Sequence, residues 1–237
     1  KEVGLPYRII CQNKKEFFRV VDTHNGFSQK IYFSIYNVEN GQNIMVNCLA
    51  FDFDSEKGLE NIRKFHTFCQ NNNYKHLMIF STGGFWGFIF TEKYEHLKNI
   101  KDALTQAQEH VAEQCGFSIY NRSEQGIIDP MQNDIDFHIV GDLRRIARMP
   151  NTFDKERGLF AIPITEEDIN QNFDYIKNKA KKQQLDYMYY GNNFFDISKY
   201  DTKKEYQTLH INAEKFDVDL NNVDAIIKLF PEYVQKW

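Results

Sequence analysis

The chain lacks the marks of a membrane, secreted or metal-thiolate protein. No stretch approaches the roughly twenty consecutive apolar residues that a membrane-spanning helix needs. Its four cysteines, Cys11, Cys48, Cys69 and Cys115, lie far apart, with no Cys-x-x-Cys pair and no neighbouring histidine pair at zinc-ligand spacing. That excludes a zinc finger and leaves buried, reduced thiols of a cytoplasmic protein as the expectation. Positive charge is not in excess: a net charge of -4 rules out a basic coat over the whole surface, while a local basic groove stays compatible with it. There is no internal repeat and no low-complexity linker. The opening Lys1-Glu2-Val3-Gly4 has no apolar signal-peptide core, and the missing initial methionine fits a fragment or a processed chain. What is present is 237 residues, 42% hydrophobic and 15% aromatic, enough for one well-cored globular unit with a small appendage.

The first half reads as strands leading into helices. Residues 17–21 and 31–38 are β-rich, and Asn40-Gly41 joins the latter to the apolar run 44–53 as a hairpin. Leu59, Ile62, Phe65, His66 and Cys69 recur at helical spacing, predicting a helix over 59–70 that ends at Asn71-Asn72-Asn73. Residues 76–80 read as a buried strand, 81–84 as a turn and 85–90 as a returning strand. Leu97, Ile100, Leu104, Ala107, Val111 and Cys115 predict a long helix over 94–115, with Gly116 as its stop. Residues 117–120 and 126–129 read as extended, 142–149 as a short helix stopped by Pro150, and 159–164 as a strand. From Thr165 the pattern turns to charged helical segments, with a lysine run at 177–182 and a last helix near 222–230. The expected division is a core over 1–164 and a helical extension or small subdomain over 165–237.

Chemistry concentrates at Asp52-Phe53-Asp54, at the end of an apolar run. Side chains alternate along a strand, so both carboxylates face one side while Phe53 enters the core. Two carboxylates so close repel unless a cation sits between them. Ser81-Thr82-Gly83-Gly84 offers backbone N–H groups and a hydroxyl at a glycine turn suited to close approach by phosphate. Each motif alone also has a plain reading, a solvated strand end and an ordinary tight turn. Ile127-Ile128-Asp129-Pro130 brings a further carboxylate, and in Asp142-Leu143-Arg144-Arg145-Ile146-Ala147-Arg148-Met149-Pro150 a helix would put Arg145 and Arg148 on one face. Asp142 then reads as a capping residue or an arginine partner, and Asp134, Asp136 and Asp154 as ordinary partners for the arginines.

This order of motifs resembles the archaeo-eukaryotic primase superfamily, including the primase-polymerases of plasmids, viruses and defence systems, over residues 31–165. The resemblance implies an α+β fold with a mixed or antiparallel sheet, an RRM-like palm, flanked by helices, plus the C-terminal helical extension. It implies that Asp52, Asp54 and Asp129 are catalytic carboxylates binding Mg²⁺ or Mn²⁺, with Asp142 the other choice for the third. Ser81, Gly83, Gly84, Arg145 and Arg148 would bind nucleotide. An insertion over 131–137 has to be assumed to fit Asp129 to the family's spacing. Trp86 stands where the family's second motif carries a histidine.

The implied activity is DNA primase or template-directed DNA polymerase in replication, a nucleotidyltransferase acting on nucleoside triphosphates with a single-stranded DNA template and primer. A helicase domain or protein is a further implied partner, a membrane is not, and the place of action is the cytoplasm, that of a host cell for a mobile element. Arg144, Lys155, Arg157 and the lysine run are candidate template contacts. Loss of the histidine leaves a second reading, a catalytically weakened nucleotide- or nucleic-acid-binding module of a replication initiator. A rolling-circle nuclease using tyrosines of Asp186-Tyr187-Met188-Tyr189-Tyr190 lacks the His-apolar-His metal strand, since His138-Ile139-Val140 has one histidine.

Overall fold

Asp52-Phe53-Asp54 closes the longest strand among the described residues, which in this computed structural model are 2–4, 8–11, 13–25, 30–39, 43–54, 57–94, 99–123, 125–128 and 132–201. Along the chain run β1 (Glu2–Gly4), β2 (Arg8–Ile10), α1 (Lys14–His24), β3 (Tyr32–Ser34), β4 (Asn37–Glu39), β5 (Asn43–Phe53), α2 (Gly58–Asn71), β6 (His76–Phe80), β7 (Phe85–Tyr94) and α3 (Ile100–Cys115). There follow β8 (Ile146–Arg148), β9 (Phe153–Asp154), β10 (Leu159–Phe160), β11 (Ile162–Ile164), α4 (Glu166–Ile169) and α5 (Phe173–Lys179). The strands form antiparallel sheets in the orders β11-β6-β7-β5-β4, β2-β1-β3-β8 and β10-β9. The fold is mixed α+β, antiparallel sheets flanked by helices.

Strand alternation divides the five-stranded sheet into two faces. Phe51 and Phe53 point toward α2, where their rings meet Phe65 at 5.6 and 5.9 Å. Gly87 on β7 lets that ring approach, since a Cβ there would stand 2.7 Å from it. The helices carry the expected stripes: Ile62, Phe65, His66 and Cys69 of α2 and Leu104, Ala107 and Val111 of α3 are buried. Gly116 ends α3 at φ 70°, a left-handed conformation that glycine adopts without penalty. Burying each such Phe or Leu is worth about 1.5–3 kcal/mol, so this helix-covered face anchors the domain. The other face carries Asp52 and, directly across on β7, Trp86.

The helix expected over 94–115 begins only at Ile100, with Tyr94 still in β7, and two further local expectations fail. Residues 17–21 lie within helix α1, not a strand: Asn13 Oδ1 accepts the Glu16 N–H at 2.9 Å to start the helix. Phe17, Val20 and Val21 then pack on Cys11, Ile31 and Met149 at helical spacing, which an adjacent Phe17-Phe18 pair disguises as a β-run. Residues 142–149 form a turn followed by β8, not a helix. Arg145 N–H donates to Asp142 C=O, and β8 then pairs with β3, Tyr32 opposite Arg148. A sheet edge with open N–H and C=O groups outweighs the local helical pattern there.

The chain divides into two compact units, Lys1–Thr202 and Lys203–Trp237, and every described residue lies in the first. The helix expected near 222–230 lies outside the described residues. Thr165 and Asp168 form a reciprocal capping box at α4, and after α5 the chain runs irregularly along the sheet edge, touching it at His76 and Thr91. Cys11, Cys48 and Cys69 are buried free thiols, and burial pushes the half-buried Cys115 thiol up to about 12. Among the described residues no helix is long and apolar enough to cross a membrane.

Candidate functional site

A cavity of about 440 Å³ opens on the Asp52 face of the sheet, walled by the strand ends of β5 and β7, the Ser81 turn, β3 and β8. Asp52, Asp54, Ser81, Gly83, Arg145 and Arg148 all line it, although they come from three separate parts of the chain. Asp129 lies outside the described residues. Asp142 is turned to its own loop, where Oδ1 accepts the Arg144 N–H at 2.9 Å.

The carboxylate side is electrostatically strained. Asp52 is 4% exposed, and burial first, then the Asp54 charge, pushes its carboxyl well up from the usual range. Burial and the charge of Asp136 push Asp54 up as well. Asp52 Oδ1 is buried and accepts no hydrogen bond. Asp136, read from sequence as part of an insertion, belongs to this cluster. Its N–H donates to the Asp52 carbonyl at 3.1 Å, which ties it to the end of β5. Arg145 bridges the two side chains, one Nη2 lying 3.3 Å from Asp52 Oδ2 and bonded to Asp136 Oδ2. Burial opposes ionisation of Asp136, but the His138 N–H and Arg145 outweigh it and hold this carboxyl below its usual range. His138 is exposed and faces Asp136, its Nδ1 2.9 Å from Oδ1, and does not line the cavity.

Trp86 lines the cavity beside Asp52, stacks on Phe88 at 5.8 Å and carries the Arg145 guanidinium 6.0 Å above its ring. Indole offers one donor and no proton-accepting nitrogen, so at this position it shelves the arginine. Trp86→His is expected to fold, because the side chain faces a cavity, and to keep or raise nucleotidyl transfer in the extension assay below. A collapse of thermal stability would instead make the indole a core requirement.

The opposite wall is cationic. Arg148 is 4% exposed; its Nη2 donates to the Phe153 carbonyl at 2.8 Å, and Tyr32 is a further partner, its ring 5.7 Å from the guanidinium. Its Nε and Nη1 are buried without acceptors, and burial pulls its pKa down. A buried cation with two idle donors on a cavity wall has the chemistry to accept an anion. Lys30 and Arg157 add charge on the same wall.

Between the walls lies the Ser81 turn. Gly84 N–H donates to Ser81 Oγ at 3.2 Å, so that amide is spent within the turn, and the Ser81 hydroxyl hydrogen is left to donate. Gly84 does not line the cavity. It is glycine because a Cβ would stand 2.6 Å from the Phe53 carbonyl, which seats the turn against Asp54. Thr82 sits at φ 81°, strained for a β-branched residue, and its hydroxyl donates to Asp154 Oδ2 at 2.8 Å. Asp154 also accepts from the Glu156 and Arg157 N–H groups and faces Lys30, 3.4 Å away.

Burial works against ionised Asp154, but Thr82 and Lys30 prevail and its carboxyl is held low. Its contribution to stability is therefore complete above the ordinary carboxylate range and is lost as pH falls through its lowered value. Asp154→Asn is expected to cost about 1–3 kcal/mol at neutral pH. In chemical denaturation the gap to the parent should close on acidification; a gap that widens in acid would refute this role.

The signal that could have found Asp136 is Asp134-Ile135-Asp136, the same alternation as at Asp52. Ile135 is buried, Asp134 is taken up by Ser118 and Asn61, and Asp136 faces Asp52. The tyrosines at 187, 189 and 190 line no part of this cavity; Tyr190 packs between His66 and His76.

No model of a known protein family matches the chain, and no curated protein does. Among solved structures, one similar chain is the polymerase domain of Ligase D from Mycobacterium tuberculosis, in complex with DNA, with a TM-score of 0.43 and 11% identity over 60% of this chain. The matched part spans 54% of that chain. A likeness of that size defines neither a family nor an activity.

Proposed function

We propose that the chain is a metal-dependent nucleotidyltransferase of the primase-polymerase type, extending DNA strands from nucleoside triphosphates on a single-stranded template. The observation that carries this reading is the polarity of one cavity, with Asp52 and Asp54, whose carboxyls are pushed up, on one wall, Asp136 held beside them through Arg145, and the underbonded Arg148 on the other wall.

Among the described residues no three carboxylate, imidazole or thiol groups already converge as a cation cage. The residues nevertheless fit Mg²⁺ or Mn²⁺. Their donors are all carboxylate oxygens, which hard cations prefer, and the buried Asp52 Oδ1 has no other partner. Asp52, Asp54 and Asp136 would hold the metal, Asp136 filling the role that Asp129 would have taken. Bound there, a divalent ion supplies Lewis acidity, easing deprotonation of a primer hydroxyl and neutralising charge at the phosphates.

The chain's own residues position the reactants. Arg148 donates to phosphate oxygens from a fixed, buried site, and Ser81 donates its hydroxyl at the turn. Trp86 and Tyr32 give the cavity flat walls, and Asp154 fixes both the turn and the β9-β10 hairpin that bears Arg157.

Arg145 favours a second reading, a nucleotide-binding module without turnover, because it occupies the carboxylates itself. Primed and unprimed single-stranded templates with labelled nucleotides and Mg²⁺ or Mn²⁺ separate the two. Extension dependent on Asp52 and Asp54 supports transfer; saturable metal-dependent nucleotide binding without product supports the module.

A further inference from the structure

A second cavity, of about 420 Å³, abuts the first across the Ser81 turn, and Thr82, Gly83 and Arg157 line both. Leu159, Phe173 and Lys177 complete it. Phe173 opens α5, and its ring is fixed by edge contacts with Phe80 and Phe85 at 5.7 and 5.8 Å. Lys177, one turn later, places its Nζ 4.7 Å over that ring. On the other side the Arg157 guanidinium lies so close to Gly83 that any side chain there would collide with it.

Charge separates this place from an ordinary helix face. Lys179, two residues along α5, is neutralised by the buried Asp168 at 2.7 Å. Among the described residues the side chains of Arg157 and Lys177 have no such carboxylate. Two cations without a salt-bridge carboxylate therefore flank an apolar floor of Leu159 and Phe173. A planar ring system carrying phosphate complements this arrangement: the ring lies against the phenyl face and the phosphate between the cations.

We propose that this second cavity is a subsite for a second nucleotide unit, its base on Phe173 and its phosphate between Arg157 and Lys177. The proposal rests on the reading of the first cavity as a nucleotide site. The unit has two possible sources with the same chemistry, the adjoining residue of a single strand or a second free nucleoside triphosphate.

Lys177 lines only the second cavity, so Lys177→Glu tests it. The full chain is titrated with a fluorescein-labelled oligothymidylate of about a dozen residues and, separately, with a fluorescent ATP analogue, both in Mn²⁺. If the unit belongs to a strand, Lys177→Glu weakens oligonucleotide binding by about tenfold and lowers the slope of log affinity against log salt by about one. The ATP analogue then binds parent and variant alike, at one equivalent. If the unit is a free nucleotide, the parent takes two equivalents of the analogue and the variant one. Lys177→Gln, which keeps the stem over Phe173, should show the same change with smaller amplitude. Oligonucleotide affinity and analogue stoichiometry both unchanged in Lys177→Glu would overturn the subsite and leave the first cavity's reading intact. A parent that binds neither ligand would overturn both.

Discussion

Asp52→Asn is expected to lower template-directed extension by at least about a thousandfold, about 4 kcal/mol of transition-state stabilisation. The protein itself should remain folded. Asp52 is buried beside Asp54 and Asp136, and its ionisation in that setting is unfavourable, so a neutral isostere removes repulsion. The sign can be worked from the raised pKa. A carboxyl that holds its proton more tightly in the folded state stabilises the fold at low pH and loses that contribution as pH rises through the raised value. At neutral pH the metal-free Asp52→Asn protein should thus melt no lower than the parent. Mn²⁺ should raise the parent's melting temperature and leave the variant's unchanged, more so at higher pH, where protons no longer compete for the carboxylates. Undiminished extension by Asp52→Asn would sink the assigned site.

Arg148→Met is expected to act in opposite directions on binding and on stability. Nucleotide affinity should fall by about 30- to 100-fold, which is about 2–3 kcal/mol and in the range of charged hydrogen bonds lost to a phosphate. Thermal stability should rise by a few degrees, because a buried cation with two unbonded nitrogens gives way to an apolar chain of similar reach. Calorimetric binding of a nucleoside triphosphate, paired with a thermal melt, reads both. A variant that melts lower and binds normally would make Arg148 a structural residue of the β3-β8 pair.

How far the sequence revealed this site depends on how local each signal is. The Asp52-Phe53-Asp54 alternation needs only a strand and one buried face, and Phe53 is indeed fully buried between the two acids. The stripes of α2 and α3 and the Gly116 stop were legible for the same reason. Arg145 and Arg148 were placed near phosphate through a resemblance that assumed a helix; they line the same cavity from a turn and a strand, because β3 supplied an edge that local propensity does not encode. Asp136 was hidden because its partner, Asp52, lies more than eighty residues away and the two meet through one backbone hydrogen bond and the shared Arg145 guanidinium. Lys30, Tyr32 and Asp154 reach the site in the same long-range way, and no spacing rule marks them.

Arg145 carries a thermodynamic consequence for how ligands would enter. Its guanidinium already balances Asp52 and Asp136 and rests on Trp86. On the proposed reading, a divalent ion arriving alone would compete with that internal cation for Asp52 Oδ2 and Asp136 Oδ2, and its affinity would be reduced by the arginine contacts it broke. A ligand that brings phosphate with the ion gives the displaced arginine a new anion. The two ligands would then be linked: each would raise the affinity for the other by the same factor, and metal binding measured without nucleotide would understate the affinity with both present.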